Sequence, residues 1–173
     1  ELAVLANLQG WLKDRKPAKL TVVKMENWKR SQWFDETKLP WIKPSPNMAT
    51  LQTAIVYPGQ CLIEGINVSE GRGSDKPFEY IGAPWINGKK LSALLNAQKL
   101  RGVTFQPIEF TPKEIPNVTS NPKYKDQVCY GVFMKVTNRK KFEPVKSGIA
   151  VVWSIYTLYK DSLKFRERGF DRL

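Results

Sequence analysis

The 173-residue chain carries 28 Lys and Arg against 16 Asp and Glu, a formal net charge of +12, and it contains no histidine. That length holds about one domain with a real core, and 42% hydrophobic with 25% charged residues is a globular rather than a disordered composition. With no histidine and two cysteines, the chain alone builds neither a Ser-His-Asp or Cys-His nucleophile system nor an all-cysteine zinc site, so any chemistry falls to carboxylates, hydroxyls and arginines.

Leu2, Leu5, Leu8 and Leu12 recur at helical spacing, with Val4 and Trp11 widening the stripe. They predict a first helix that stops by Lys13–Lys16, because Pro17 cannot continue it. The β-branched run Leu20–Met25 reads as a strand. From Asn27 to Pro46 the periodicity dissolves, and Trp28, Trp33, Phe34 and Trp41 among Pro40, Pro44 and Pro46 indicate an irregular loop pinned by aromatics. Asn47 is positioned to cap a helix through Met48, Leu51 and Ala54 towards Tyr57, although Ile55-Val56-Tyr57 also suits a strand. After a glycine-rich stretch, Phe78–Trp85 reads as a strand ending at Pro84, and Asn87 caps a helix through Leu91, Leu94, Leu95 and Gln98 that Gly102 closes. Val103–Phe110 is a strand in which Pro107 marks an edge or bulge. Val128–Val136 alternates as the clearest strand. Pro144 opens a last helix whose buried face is expected to be Val145, Ile149, Val152, Trp153 and Tyr156. The order α-β-α-β-α-β-β-α implies an α+β (mixed α/β) domain, a small mixed sheet with packed helices.

The charge excess is diffuse: residues 1–120 sum to +5 and residues 121–173 to +7, with no run of five like charges. The exception lies between Leu51 and Gly88, where Glu64, Glu70, Asp75 and Glu79 outnumber Arg72 and Lys76. Cys61 and Cys129, 68 residues apart, read as free thiols. No apolar run approaches the ~18 residues that cross a membrane. The chain opens at Glu1 without an initiator Met and stops at Leu173, which leads us to expect a piece of a longer polypeptide.

The acidic window contains Glu64-Gly-Ile-Asn-Val-Ser-Glu-Gly-Arg-Gly73. No Gly-Lys-Ser/Thr follows its glycines, so it is not a P-loop, and the dinucleotide pattern Gly-x-Gly-x-x-Gly is absent. Its small residues permit sharp turns that gather Glu64, Asn67, Ser69, Glu70 and Arg72 in one volume. Arg72 suits a carboxylate or phosphate gripped bidentately, and Asn67 with a carboxylate suits sugar hydroxyls, which donate and accept. The same residues equally suit a loop pinned by an internal Glu70–Arg72 or Glu64–Arg72 pair.

Pro44-Ser-Pro-Asn-Met48, Tyr57-Pro-Gly-Gln-Cys-Leu-Ile-Glu-Gly-Ile-Asn-Val-Ser-Glu-Gly-Arg-Gly73, Pro77-Phe-Glu79 and Gly82-Ala-Pro-Trp85 occur together and in order, followed by Val136-Thr-Asn-Arg139, Phe142-x-Pro144 and Phe170-Asp-Arg-Leu173. In this combination the whole chain resembles a bacterial family of exo-acting β-N-acetylmuramidases, formerly a domain of unknown function, whose members remove terminal N-acetylmuramic acid (MurNAc) from the non-reducing end of peptidoglycan fragments. Ile66 and Ser74 stand where the family pattern leads one to expect threonine.

The resemblance implies that residues 1–173 are a single C-terminal domain, that a Rossmann-like N-terminal domain is absent from the chain, and that the active-site cleft lies in that domain or at its junction with this one. We expect the Glu64–Gly73 loop to face that domain and complete the cleft. Glu70 is then the catalytic candidate, as an acid/base or supporting carboxylate. Glu64, Asn67, Ser69 and Arg72 are the substrate-binding candidates, with Arg72 on the lactyl carboxylate that separates MurNAc from N-acetylglucosamine. Glycoside hydrolysis runs on two carboxyl groups, about 5–5.5 Å apart for retention and 6.5–9.5 Å for inversion, and needs no histidine. The expected partners are MurNAc-terminated fragments and the chain's own N-terminal domain, without nucleic acid, membrane span, metal or cofactor; the expected compartment is extracytoplasmic, and the isolated chain is expected to be inactive. Two other readings stand beside this one: a non-catalytic wall-sugar module built on Trp28, Trp33, Trp41 and Trp85, and a nucleic-acid binder, which would lose affinity steeply with salt.

Overall fold

The structure, a computed structural model, describes residues 1–167. The chain divides into two compact units, Glu1–Lys38 and Leu39–Leu173. The Phe170–Leu173 motif lies outside the described residues.

In the first unit the leucine stripe forms α1 (Leu2–Leu8), shorter than expected. Single 3-10 turns follow at Lys13–Arg15 and Phe34–Thr37. The Asn7 amide makes two bonds with the backbone of Ala18, at 2.8 and 2.9 Å, and the Trp33 N–H donates to the Glu36 carboxylate at 2.9 Å. The expected strand at Leu20–Met25 does not form: the segment pairs with no other backbone among the described residues, and Val22, Val23 and Met25 are exposed. A β-branched run has strand preference, but a strand exists only where a neighbour takes up its N–H and C=O groups.

The second unit is an α+β fold. Its elements are α2 (Leu51–Gln60), β1 (Tyr80–Ala83), α3 (Gly88–Ala97), β2 (Val103–Phe110), β3 (Cys129–Val136) and α4 (Pro144–Tyr159). Thr50, not Asn47, caps α2, its Oγ1 accepting from the Thr53 N–H at 3.2 Å; Asn47 is buried and donates to the Val118 carbonyl instead. Asn87 caps α3 as expected, through the Lys90 N–H at 3.0 Å. The sheet is three-stranded and antiparallel in the order β1-β3-β2. The long alternating strand is therefore central, and Pro107, which has no N–H to give, sits on edge strand β2. Val56, Ile63, Ile81, Leu91, Leu95, Val132, Met134, Val151 and Ile155 are fully buried between sheet and helices, each contributing roughly 1.5–3 kcal/mol.

Helix α4 is turned differently from expectation. Ile149, Trp153 and Tyr156 are 56%, 54% and 51% exposed, and Val145 is exposed with them. The buried face is Ser147, Gly148, Ala150, Val151, Ser154 and Ile155. Its small residues let α2 and α4 touch backbone to backbone: a Cβ on Gly148 would lie 2.1 Å from the Gly59 carbonyl oxygen, and one on Gly59 would lie 1.9 Å from that of Pro144. Close helix approach needs small residues, so the stripe of large apolar side chains is displaced to the opposite side. No helix among the described residues is long and apolar enough to cross a membrane, and Cys61 and Cys129 are free thiols.

Candidate functional site

The segment after α2 tightens into a 3-10 turn, Cys61–Gly65, and then runs extended. It is held from both sides. Ile66 bridges to Phe165, Ser69 bridges to Gly82, and the Ser69 and Gly82 backbones exchange bonds of 2.8 and 3.1 Å. The chain then reverses through Gly71 and Gly73, at φ +77° and +83°, values that glycine adopts without strain. The Ser69 hydroxyl accepts the Gly71 N–H at 3.2 Å inside this turn.

The reversal brings Glu64, Glu70 and Arg72 together. The Arg72 Nη2 donates to Glu64 Oε1 at 2.7 Å, and its Nε lies 3.5 Å from Glu70 Oε1. Its guanidinium stands 5.3 Å from the centre of the Phe78 ring, in cation–π range. Glu70 is only 5% exposed and has a second cation, Lys123, whose Nζ is 3.0 Å from Oε2. That ammonium also donates to the carbonyls of Ile63, Ile66 and Val68 at 2.9, 2.8 and 2.9 Å. Its three protons are thereby taken, and Glu70 Oε2 is held by charge without a directed donor. Burial pulls the Lys123 ammonium below its ordinary range, and the Glu70 carboxylate opposes that fall. Next to it, the Tyr124 hydroxyl donates to the Asn67 carbonyl at 2.6 Å and accepts the Trp85 indole N–H at 3.1 Å.

Of these residues, Asn67, Glu70, Arg72, Lys123 and Tyr124 line a cleft of about 770 Å³, together with Lys125 and Arg166. Of the residues expected to form the site, Glu64, Glu70 and Arg72 form one ion-pair chain. Asn67 lines the cleft, but its amide is spent on the backbone of the C-terminal segment, donating to the Ser162 carbonyl at 3.0 Å and accepting the Lys164 N–H at 2.7 Å. Ser69 is buried and serves the turn. Lys123, Tyr124 and Arg166 have no signal in the local sequence pattern, since they approach the loop from 55 to 102 positions further along the chain. A buried carboxyl just beyond the loop, Glu79, accepts from Thr53 at 3.4 Å and faces Lys76 at 3.8 Å, and burial raises its pKa.

A second cleft, of about 740 Å³, lies beside Trp85, Asn87, Glu109 and Tyr130. It lacks a comparable gathering of charge. A concave surface with several cations around one buried carboxylate is suited to hold a polar, anionic ligand.

The sequence matches two adjoining family descriptions: exo-beta-N-acetylmuramidase NamZ, C-terminal, over residues 55–173, and exo-beta-N-acetylmuramidase NamZ, N-terminal, over residues 1–52. It is 48% identical over 157 residues to the peptidoglycan beta-N-acetylmuramidase NamZ of Bacillus subtilis, an alignment that covers 90% of this chain and 36% of that protein. A DUF1343 family protein of Bacteroides fragilis superposes with a TM-score of 0.82 at 30% identity, over 92% of this chain and 40% of its own. A second DUF1343 protein of that organism, 24% identical with a TM-score of 0.68, shares the fold over 98% of this chain and 42% of its own. The chain thus spans well under half the length of each of these relatives.

Proposed function

From the premise that this chain belongs to the exo-β-N-acetylmuramidase NamZ family, we propose that it is the C-terminal part of a glycoside hydrolase that releases MurNAc from the non-reducing end of peptidoglycan fragments. The observation that carries this reading is the cation-lined cleft built on the Glu64–Gly73 loop. A MurNAc-terminated fragment offers it hydroxyls, an acetamido group and a lactyl carboxylate.

In this reading the loop completes a cleft whose other wall belongs to an N-terminal domain, and the principal catalytic carboxylate sits there. Glu70 contacts Arg72 and Lys123 rather than open solvent, so of its two expected roles the supporting one fits better: it holds both cations in place. Glu64 fixes Arg72 from the other side. Arg72, engaged by two carboxylates, shapes the cleft wall and leaves the ligand's charge to another cation. Asn67 and Ser69 hold the loop to the neighbouring backbone. The protein acts outside the cytoplasm, where peptidoglycan lies, and the basic surface favours residence near that anionic polymer.

The test is release of a chromophore from a MurNAc glycoside. The full-length protein is expected to turn it over and residues 1–173 alone are not. Failure of the full-length protein on MurNAc glycosides and on peptidoglycan fragments refutes the glycosidase reading, and turnover by the isolated chain refutes the division of labour.

A further inference from the structure

Four cations line the cleft beside the Glu64–Gly73 loop: Arg72, Lys123, Lys125 and Arg166. Three of them are already committed. Arg72 is paired with Glu64 at 2.7 Å and Glu70 at 3.5 Å. Lys123 has its three protons on three carbonyls and Glu70 at 3.0 Å. Lys125 is paired with Glu114 at 2.5 Å. Arg166 differs. Its guanidinium reaches the Glu64 carbonyl through one long contact of 3.5 Å, and among the described residues no carboxylate lies within ion-pair distance of it.

The backbone fixes where this side chain stands. Phe165 bridges to Ile66, the Arg166 N–H donates to the Gly65 carbonyl at 2.9 Å, and Asn67 clamps Ser162 and Lys164. The C-terminal segment is thus laid along the loop as a short antiparallel partner, and the residue after the bridge belongs to the cleft wall. The positive charge of Arg166 is felt inside, where it adds to the forces lowering the affinity of Lys123 for its proton.

We propose that Arg166 is the residue that receives the ligand's anionic group in this cleft, and that this group is a carboxylate carried on a sugar. A guanidinium with free N–H groups presents the planar fork that matches a carboxylate, whereas the charge of Arg72 is already offset by Glu64 and Glu70. The proposal rests on the reading above. It moves discrimination between MurNAc and N-acetylglucosamine, which differ by the lactyl carboxylate, from the glycine loop to the segment that follows α4.

The experiment compares wild type, Arg166→Ala and Arg166→Lys in the full-length protein. Binding of free N-acetylmuramic acid and N-acetylglucosamine is measured by calorimetry, alongside turnover of the two corresponding chromogenic glycosides and the melting temperature. Arg166 is exposed, so the variants are expected to melt with wild type. Arg166→Ala is expected to weaken N-acetylmuramic acid roughly tenfold or more, the scale of a lost charge-assisted hydrogen bond, with N-acetylglucosamine unchanged and the lysine variant in between. An Arg166-dependent preference for the acid in a protein that turns over neither glycoside supports this site and sinks the glycosidase reading. Turnover of MurNAc glycoside with discrimination intact in Arg166→Ala overturns the site and leaves that reading standing. Absence of any binding preference for the acid in wild type also overturns it.

Discussion

Replacing Lys123 with methionine keeps the length of the side chain and removes its charge. Two losses follow from the geometry. The buried Glu70 carboxylate loses the cation at 3.0 Å and keeps only Arg72, at 3.5 Å. The carbonyls of Ile63, Ile66 and Val68 lose their shared donor. Removing one partner of a buried ion pair costs about 3–5 kcal/mol, and Arg72, together with water entering the open cleft, reduces that. A loss of about 3 kcal/mol follows, which in a chain of this size lowers the melting temperature by about 6–12 °C. The assay is urea and thermal unfolding of four proteins: wild type, Lys123→Met, Glu70→Gln and the double variant. The double variant should recover part of the loss, because it has no orphaned charge to bury, and the cycle isolates the coupling between the two residues. A Lys123→Met protein within about 1 kcal/mol of wild type, or a double variant no more stable than Lys123→Met, would refute the view that Glu70 and Lys123 hold the loop together; that threshold lies well below the cost expected for a buried pair.

Gly148→Ala places a Cβ 2.1 Å from the Gly59 carbonyl oxygen, so α2 and α4 must separate; an overpacking cost of about 2–3 kcal/mol is expected in urea unfolding, and a neutral result would remove the backbone-contact account of that helix pair. Glu79 titrates above its ordinary 4.5 because it is buried. The folded chain therefore holds that proton more tightly than the unfolded one, and stability falls as pH climbs from 4.5 through the raised value. Glu79→Gln should flatten the stability–pH profile across that window, measured as urea midpoints, and an unchanged slope would show that Glu79 ionises at no cost.

The family motifs and the candidate loop were legible because their constraints are local. Gly71 and Gly73 mark a reversal wherever the rest of the chain goes, Asn87 caps whatever helix follows it, and Pro107 consigns its strand to an edge. The pairing of Arg72 with Glu64 and Glu70 was visible as one of two possibilities, and the choice depended on what else faced the guanidinium. Lys123 could not be anticipated. One lysine among the 28 cations of a +12 chain looks like solvated surface until the fold lays it over three carbonyls and a buried carboxylate.

Leu20–Met25 and α4 mark the same boundary in the fold itself. A β-branched run states a preference, but a ladder of hydrogen bonds needs a second backbone, and none of the described residues supplies one. The periodicity of α4 pointed to one buried face, that of Val145, Ile149, Val152, Trp153 and Tyr156, and the structure buries the face that carries Ser147, Gly148 and Ala150 instead. Area alone favours burying the large face, whereas contact between the Gly59 and Gly148 backbones requires the small one. By itself, then, the sequence determined family, the order of elements from α2 to α4 and the turn that gathers Glu64, Glu70 and Arg72, since these follow from short-range sterics and from motif order. Only the tertiary structure decided which helix face is covered and which cations of the cleft are paired among the described residues, because burial and charge pairing depend on residues far apart in the chain.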